Sequence, residues 1–541
     1  MAEFRPEVLS ASTTAPLASS PWPPGRSAAQ GGRPRSWALR DRNLSRLGAR
    51  LDVPRYQRDQ LSAGVVHLGV GNFHRAHQAV YFDDLARLGV TGWGITGVGL
   101  RSRRIQDVLP AQDLLYTVLE QGAADGQARV VGALHRYFYA PEQPARVIAA
   151  LRRRKTQLVT MTVTGDGYPV DPTTGRFTDL DAEPGRTGRE QPWTAFDFLV
   201  AGLDERRRRG HPGLTVLSCD NRADSAAAAR AGVLAVAERL DPALGPWVER
   251  HVRFPDSMVD RITPAAKDRH RLLVEEQHGV RDRWPVVTEP FRQWVIQDDF
   301  AGARPPLDQV GVQFVADVGP HKLAKTRLLN GSHCALGLLG TVAGYHDTGT
   351  AMSDPLLRDY LGALMSREVA PLLPPVPGLD LVDYQHTLLT RFANPVLVDP
   401  LSRLAGRAST KMPSYLLPSL REAVAAGRPH ELLALAVAGW LHCLRQPGGM
   451  GLADVRAEEL QALAVSGGED PRAVLGLVEV FGDLGRSTSL ERTLRRQLRS
   501  LEQLGWRSTV AASLAATGTL SHCPQPGRPF RTRRRSDDAA S

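Results

Sequence analysis

The chain has 541 residues, 42% of them hydrophobic and 23% charged, which is too long for one ordinary core and suits a globular protein of two domains. Its formal charge of +10 would suggest a polyanion partner, but residues 1–60 carry a net +5 and residues 527–541 a net +3, leaving +2 for everything between. Nucleic acid is therefore not expected as the main partner of the folded body. The four cysteines, Cys219, Cys334, Cys443 and Cys523, form no CxxC pair and no Cys/His cluster at zinc spacing, so neither a disulfide framework nor a structural zinc site is indicated and a reducing cytoplasm fits. The N-terminus lacks the uninterrupted apolar run of a secretory signal. The longest apolar stretch, Leu432–Leu444, contains Trp440 and His442 and is too short to span a bilayer, so it reads as a core helix.

Taken in order, residues 1–60 read as a basic extension without part in the fold, since residues 1–40 lack hydrophobic periodicity. Order is expected from residue 61. Gly64–Leu68 is a short apolar run that leads into Gly69-Val70-Gly71-Asn72-Phe73-His74-Arg75 and then a helical pattern, Ala76–Leu88. Strand, tight glycine turn and helix is the order of a dinucleotide-binding unit, in which backbone N–H groups approach a pyrophosphate. On this reading Gly69, Val70, Gly71, Asn72, Phe73 and Arg75 are candidate cofactor-binding residues. A GxG alone also suits a plain strand–turn–helix unit, and His74 stands where the usual fingerprint has its third glycine.

Further strands are expected at Gly94–Val98, Leu158–Val163 and Leu214–Ser218, with helices such as Ser225–Leu240 between them. Such alternation predicts a mostly parallel sheet, with ligands at the carboxyl ends of its strands, where Thr164–Gly167 and Cys219-Asp220-Asn221 would sit. After Gly94–Val98, the second strand of the unit, a dinucleotide fold that prefers NAD places an acid on the adenosine ribose. This chain has Arg101-Ser102-Arg103-Arg104 there, and its first acid is Asp107. Three guanidiniums suit a 2′-phosphate, so NADP is expected to be accepted; in a chain rich in arginine they also suit solvated charge. After about residue 310 the strand signals fade and Leu/Ala-rich helical patterns take over, until a tail from residue 511. The expected fold is α/β: a Rossmann-like domain over residues 61–310, then a mainly α-helical domain over residues 311–510.

The stretch Lys325–His333 brings an amine, an amide and an imidazole within nine residues. In an α-helix, at about 100° per residue, Asn330 lies roughly 140° and His333 roughly 80° round from Lys325, so all three can face one cleft. The plainer reading has Lys325 and Arg327 solvated while Leu328, Leu329 and Ala335 pack. The chain contains only five lysines, Lys155, Lys267, Lys322, Lys325 and Lys411. Where charge is carried so heavily by arginine, a lysine suits a place that needs an amine able to lose its proton.

Five stretches in order, Val66–His77, Trp93–Leu100, Leu217–Asn221, Phe254–Pro264 and Lys325–His333, together resemble the long-chain polyol dehydrogenases, the mannitol dehydrogenase and fructuronate reductase family. The resemblance spans residues 61–510. It implies a nucleotide-binding domain followed by a helical one, NAD or NADP without a metal, and interconversion of a polyol with a ketose or ketouronate, with mannitol and fructose the first pair to test. It places Lys325 as general base, Asn221 and Asn330 as amides holding the reacting oxygen, and His333, Asp260, Arg403 and Lys411 around the substrate. Asp260 paired with its neighbour Arg261, and Arg403 as a surface charge, are the plainer alternatives. Two departures from the family pattern stand out: His321 and Lys322 occupy the place of a Tyr-Glu pair, removing a carboxylate from beside the base, and Gly165 with Asp166 replaces an acid in Thr162–Tyr168. Lys322, as a like charge one turn from Lys325, is expected to lower the base's pKa. A relative that binds nucleotide without turnover is the alternative of another class.

Overall fold

A computed structural model describes residues 36–122, 126–163, 167–168, 193–397 and 399–518. Five strands, β1 (Val65–Leu68), β2 (Ile95–Gly99), β3 (Leu134–Tyr139), β4 (Leu158–Met161) and β5 (Thr215–Ser218), form one parallel sheet in the order β3-β2-β1-β4-β5. β1, β4 and β5 are buried along their whole length, as expected of strands covered on both faces. The helices Pro144–Leu151, Ala195–Arg208 and Ser225–Leu240 pack apolar side chains onto one face, and Gln78–Arg87 covers the other. The order reverses at β1, so the glycine turn after β1 lies beside the end of β4, at the switch point where such sheets bind ligands.

The turn itself is a close fit. Gly69 has φ +97°, and a Cβ there would stand 2.3 Å from Thr162 O, so both the backbone conformation and the neighbouring strand require glycine. Beneath it the His67 and His74 rings stack 3.4 Å apart, and His67 bonds to Thr160 Oγ1 at 2.8 Å and Thr162 Oγ1 at 3.0 Å.

Two shorter sheets extend this domain. Tyr116–Gln121 pairs with Gly126–Val131 and with Val286–Thr288; β6 (Ser257–Asp260) runs antiparallel to Gln293–Gln297, which pairs with Gln313–Val315. Residues 36–60 correct the expectation of a free extension. Trp37–Ala38 pairs in parallel with Val280–Arg281, and Leu39, Leu47, Leu51 and Val53 bury against Leu115, Leu119 and Val287. Four apolar side chains without a regular period gave no pattern to read, yet they close a core. Residues 1–35 and 519–541, which hold most of the basic tails, and Thr164–Asp166 lie outside the described residues.

From Gly319 onward the chain is helical. Glu431–Arg445 is apolar nearly all round, as a central helix must be, and packs against Gly331–Val342 and Thr488–Ala516. The last helix runs past residue 510, bending at Gly505. Among the described residues no helix is long and apolar enough to cross a membrane.

Burial pushes the imidazoles of His67 and His77 from the ordinary 6.5 down to about 3. Between those values the unfolded chain binds protons that the folded chain refuses, so stability present above pH 6.5 is lost progressively as pH falls toward 3. The thermal midpoint in scanning calorimetry is expected to drop across that window, and to drop less steeply in His77→Phe; identical slopes in the two proteins would contradict the assignment.

Candidate active site

Lys325 stands at the seam between the domains. The helix Gly319–Ala324 begins with a proline in its first turn and with Asp317 Oδ1 accepting from the Gly319 N–H at 2.8 Å. It runs directly into a π-helical turn, Lys325–Asn330, and then into Gly331–Val342. The stretch is thus helical as expected, but its middle is wider than an α-helix. A turn closed by i→i+5 bonds sets residues five apart nearly in line, so Asn330 comes closer to the face of Lys325 than α geometry allows.

The Lys325 side chain is 8% exposed. Its Nζ donates to Asn221 Oδ1 at 2.6 Å and to Val259 O at 2.8 Å, one from the loop after β5 and one from β6. Burial pushes its pKa below the usual lysine range; Asp260 opposes this, while Arg391 and Lys322 add to it. The expected effect of Lys322 is present in direction. It is the weakest of these influences, and the Lys322 ammonium is itself paired with Asp256 at 2.5 Å. Asp256, from another element, thus places a carboxylate on Lys322.

Asn330 is half-buried and, among the described residues, its carboxamide makes no hydrogen bond. His333, on the same helical run, packs on Phe392 with ring centroids 4.4 Å apart, and burial, with Arg391 and Arg403 adding, pushes it down to about 3. It is a neutral imidazole at pH 7.

Asp260 is not paired with its neighbour Arg261. Its oxygens are taken by Arg391 at 2.7 and 2.9 Å, and the same guanidinium bonds Glu289 at 2.8 and 2.9 Å. Neighbours on a strand face opposite ways, so Arg261 points to Glu120 instead, at 2.6 Å. Burial alone would raise the Asp260 carboxyl, but Arg391 overcomes it and holds the group below the ordinary carboxylate range. Arg391 and Phe392 close the helix Leu381–Phe392, so one element braces both Asp260 and His333. Sequence reasoning missed Arg391; nothing marked it among so many arginines. Arg403 is largely exposed and paired with Asp399, while Lys411 Nζ donates to Arg403 O at 2.7 Å and Leu404 O at 3.2 Å. These two stand together at the edge of the site, with Lys411 a third cation near His333 after Arg391 and Arg403.

At the nucleotide turn, Gly71 faces open space: a Cβ there would meet nothing nearer than Gly69 O at 3.8 Å. It leads directly into the short helix Asn72–Ala76. Val70 is buried and Phe73 stacks on His77 at 5.0 Å. Arg75 is buried and faces inward, donating to Trp284 O at 2.8 Å and Asn72 Oδ1 at 2.7 Å, so it fixes the turn from below. Of the three arginines after β2, Arg103 pairs with Glu142 and Asp107, Arg104 lies over the Trp284 ring at 4.3 Å, and Tyr139 donates to Arg101 O. Among the described residues no three His, Cys, Asp or Glu side chains gather as a metal site.

Profiles of the mannitol dehydrogenase Rossmann domain and the mannitol dehydrogenase C-terminal domain match residues 63–309 and 317–502. The chain belongs to the mannitol dehydrogenase family. Mannitol 2-dehydrogenase of Aspergillus fumigatus is 40% identical over 509 residues, covering 90% of this chain and 98% of that protein, and that of Phaeosphaeria nodorum is 40% identical over 491 residues, covering 88% and 86%. Among solved structures, the Pseudomonas fluorescens mannitol 2-dehydrogenase ternary complex with NAD and D-mannitol is 38% identical with a TM-score of 0.76, and a substrate-free D-sorbitol dehydrogenase is 32% identical with a TM-score of 0.81. Each covers 88% of this chain and the whole of its own.

Removing the shared cation tests the brace. Arg391→Leu leaves two carboxylates buried without a counter-ion and is expected to lower stability by about 3–5 kcal/mol, read from urea unfolding. A loss below about 1 kcal/mol would show that the two acids are not charged together.

Proposed function

We propose that this chain is a polyol 2-dehydrogenase that interconverts mannitol and fructose with a nicotinamide cofactor and without a metal. The observation that carries the reading is the hydrogen bonding of Lys325. A neutral amine has two N–H groups and one lone pair; Asn221 Oδ1 and Val259 O take both N–H groups, which leaves the lone pair for the proton of a substrate hydroxyl.

The residues fit the cofactor. Gly71 leaves open the space a side chain would fill, beside N–H groups at the start of Asn72–Ala76, where a pyrophosphate is expected. A bound nicotinamide supplies the hydride acceptor or donor. During oxidation Lys325 takes the hydroxyl proton, while the N–H groups of Asn221 and Asn330 donate to the oxygen as negative charge builds on it. With Asn221 Oδ1 held by the amine, its Nδ2 remains available to donate. In reduction the Lys325 ammonium returns the proton. His333, neutral and packed on Phe392, and Lys411 and Arg403 at the rim suit hydrogen bonding to the remaining hydroxyls. The buried free thiols Cys219, Cys334 and Cys443 suit a cytoplasmic setting.

The test is consumption of reduced cofactor on adding fructose, compared with sorbose, a ketouronate and, in reverse, mannitol, sorbitol and arabinitol. Clear cofactor binding without turnover on any of them would favour a non-catalytic nucleotide binder. Lys325→Ala is expected to lower kcat by about 10²–10⁴ with cofactor affinity retained; near-normal kcat would remove Lys325 from the mechanism. For the cofactor, no acid directly follows β2 and Arg104 has no carboxylate partner among the described residues, so NADPH is expected to be accepted alongside NADH. Arg104→Ala should then lower kcat/KM for NADPH by about tenfold, as loss of one charge-assisted bond would, and leave NADH little changed. An unmoved ratio would make these arginines solvated charge only.

A further inference from the structure

Three residues before the base, Lys322 reaches across the same seam. Its Nζ donates to Ala223 O at 2.8 Å, Ser225 Oγ at 3.3 Å and Asp256 Oδ1 at 2.5 Å. Asp256 is itself fixed: its Oδ1 also accepts from the Ser257 N–H at 3.0 Å and Ser225 Oγ at 3.4 Å, and its N–H donates to Gln297 Oε1 at 3.1 Å. With the Lys322 side chain only 14% exposed, the pair is partly withdrawn from water and is worth more than a surface contact.

The loop between β5 and the helix Ser225–Leu240 is held at one end by Asp220, whose Oδ2 accepts from Tyr168 at 2.8 Å and from the Val163 N–H at 3.3 Å. Beyond it Asn221, Ala223 and Asp224 are exposed, and the Arg222 guanidinium bonds within the loop, to Asp224, while lying over the Tyr168 ring. Two lysines on one helical run therefore grip this loop from the other domain: Lys325 on Asn221, Lys322 on Ala223 and Ser225.

We propose that Lys322 and Asp256 form a positioning pair for the hydride-transfer step, clamping the 221–225 loop to the helix that bears the base so that the Asn221 carboxamide stays on Lys325. The proposal rests on Lys325 being the base. Asn221 both orients the lone pair and donates to the reacting oxygen, so a small shift of its loop disturbs two functions together. A displacement of about an ångström at a reacting group can cost about a hundredfold in rate.

The test compares wild type, Lys322→Met, Asp256→Asn and the exchanged pair Lys322→Asp with Asp256→Lys, in which an amine from position 256 can reach the same loop atoms. Readouts are kcat for ketose reduction, Kd for reduced cofactor from its fluorescence, and the rate at which acetic anhydride acetylates Lys325, followed by peptide mass spectrometry. Each single variant is expected to lower kcat by about 10- to 100-fold, to leave the cofactor Kd within about twofold, and to acetylate Lys325 several times faster as the carboxamide leaves it; the exchanged pair should recover most of both changes. Single variants that keep kcat and the acetylation rate, even if they melt at lower temperature, would reduce the pair to a structural contact and overturn the proposal. If wild type turns over no polyol or ketose, the enzymatic reading fails by itself and acetylation decides the clamp: an unchanged rate overturns it, a raised rate restored by the exchange supports it.

Discussion

The structure turns on one amine held out of water where two domains meet. Lysine in water is protonated at neutral pH and useless as a base; the same side chain, enclosed away from water, is drawn toward its neutral form. Neither domain makes this environment alone. Val259 and Asn221 belong to the first domain and Lys325 to the second, so the chemistry exists only where β6 and the loop after β5 meet the Gly319–Val342 run.

Charge balance around that amine is set by Arg391. An ionised Asp260 unopposed would hold Lys325 in its charged form. Arg391 takes both Asp260 oxygens and lies over the Phe291 ring at 4.1 Å, which blunts the attraction while keeping the acid ionised. Glu289, the third member, ties the group back to the first domain by accepting from the Ile262 N–H at 2.6 Å. The cluster thus fixes β6 in position and tempers its field on the base.

Much of this was legible in the sequence where a residue type implies a local conformation. Gly69 and Gly71 announced the turn, the apolar runs announced β1, β4 and β5, and Leu432–Leu444 announced its central helix. The scarcity of lysine drew attention to Lys325. What could not be read were the contacts made by long-range partners. Asp260 beside Arg261 looks like an ion pair on paper, but strand geometry sends them apart, and Arg391 arrives from 131 positions away. Asp256 lies far from Lys322 in sequence, so the ion pair between them could not be read from the stretch before the base. The segment 36–60 failed for a different reason: its few apolar residues follow no period, and only the partner surface shows what they bury against.

The widened turn at Lys325–Asn330 sets a limit on how this active site can vary. A π turn amounts to one residue more than an α-helix would need over the same length, lodged inside an otherwise continuous helical run from Gly319 to Val342. Deleting a single residue there would let the run relax to ordinary spacing with the helix after it still in phase, but deleting a second would rotate everything after it by about 100°. His333 would leave Phe392, and the buried side chains from Cys334 to Leu339 would turn out of the core they fill. The packing of the helical domain therefore tolerates the loss of one residue from this turn and no more.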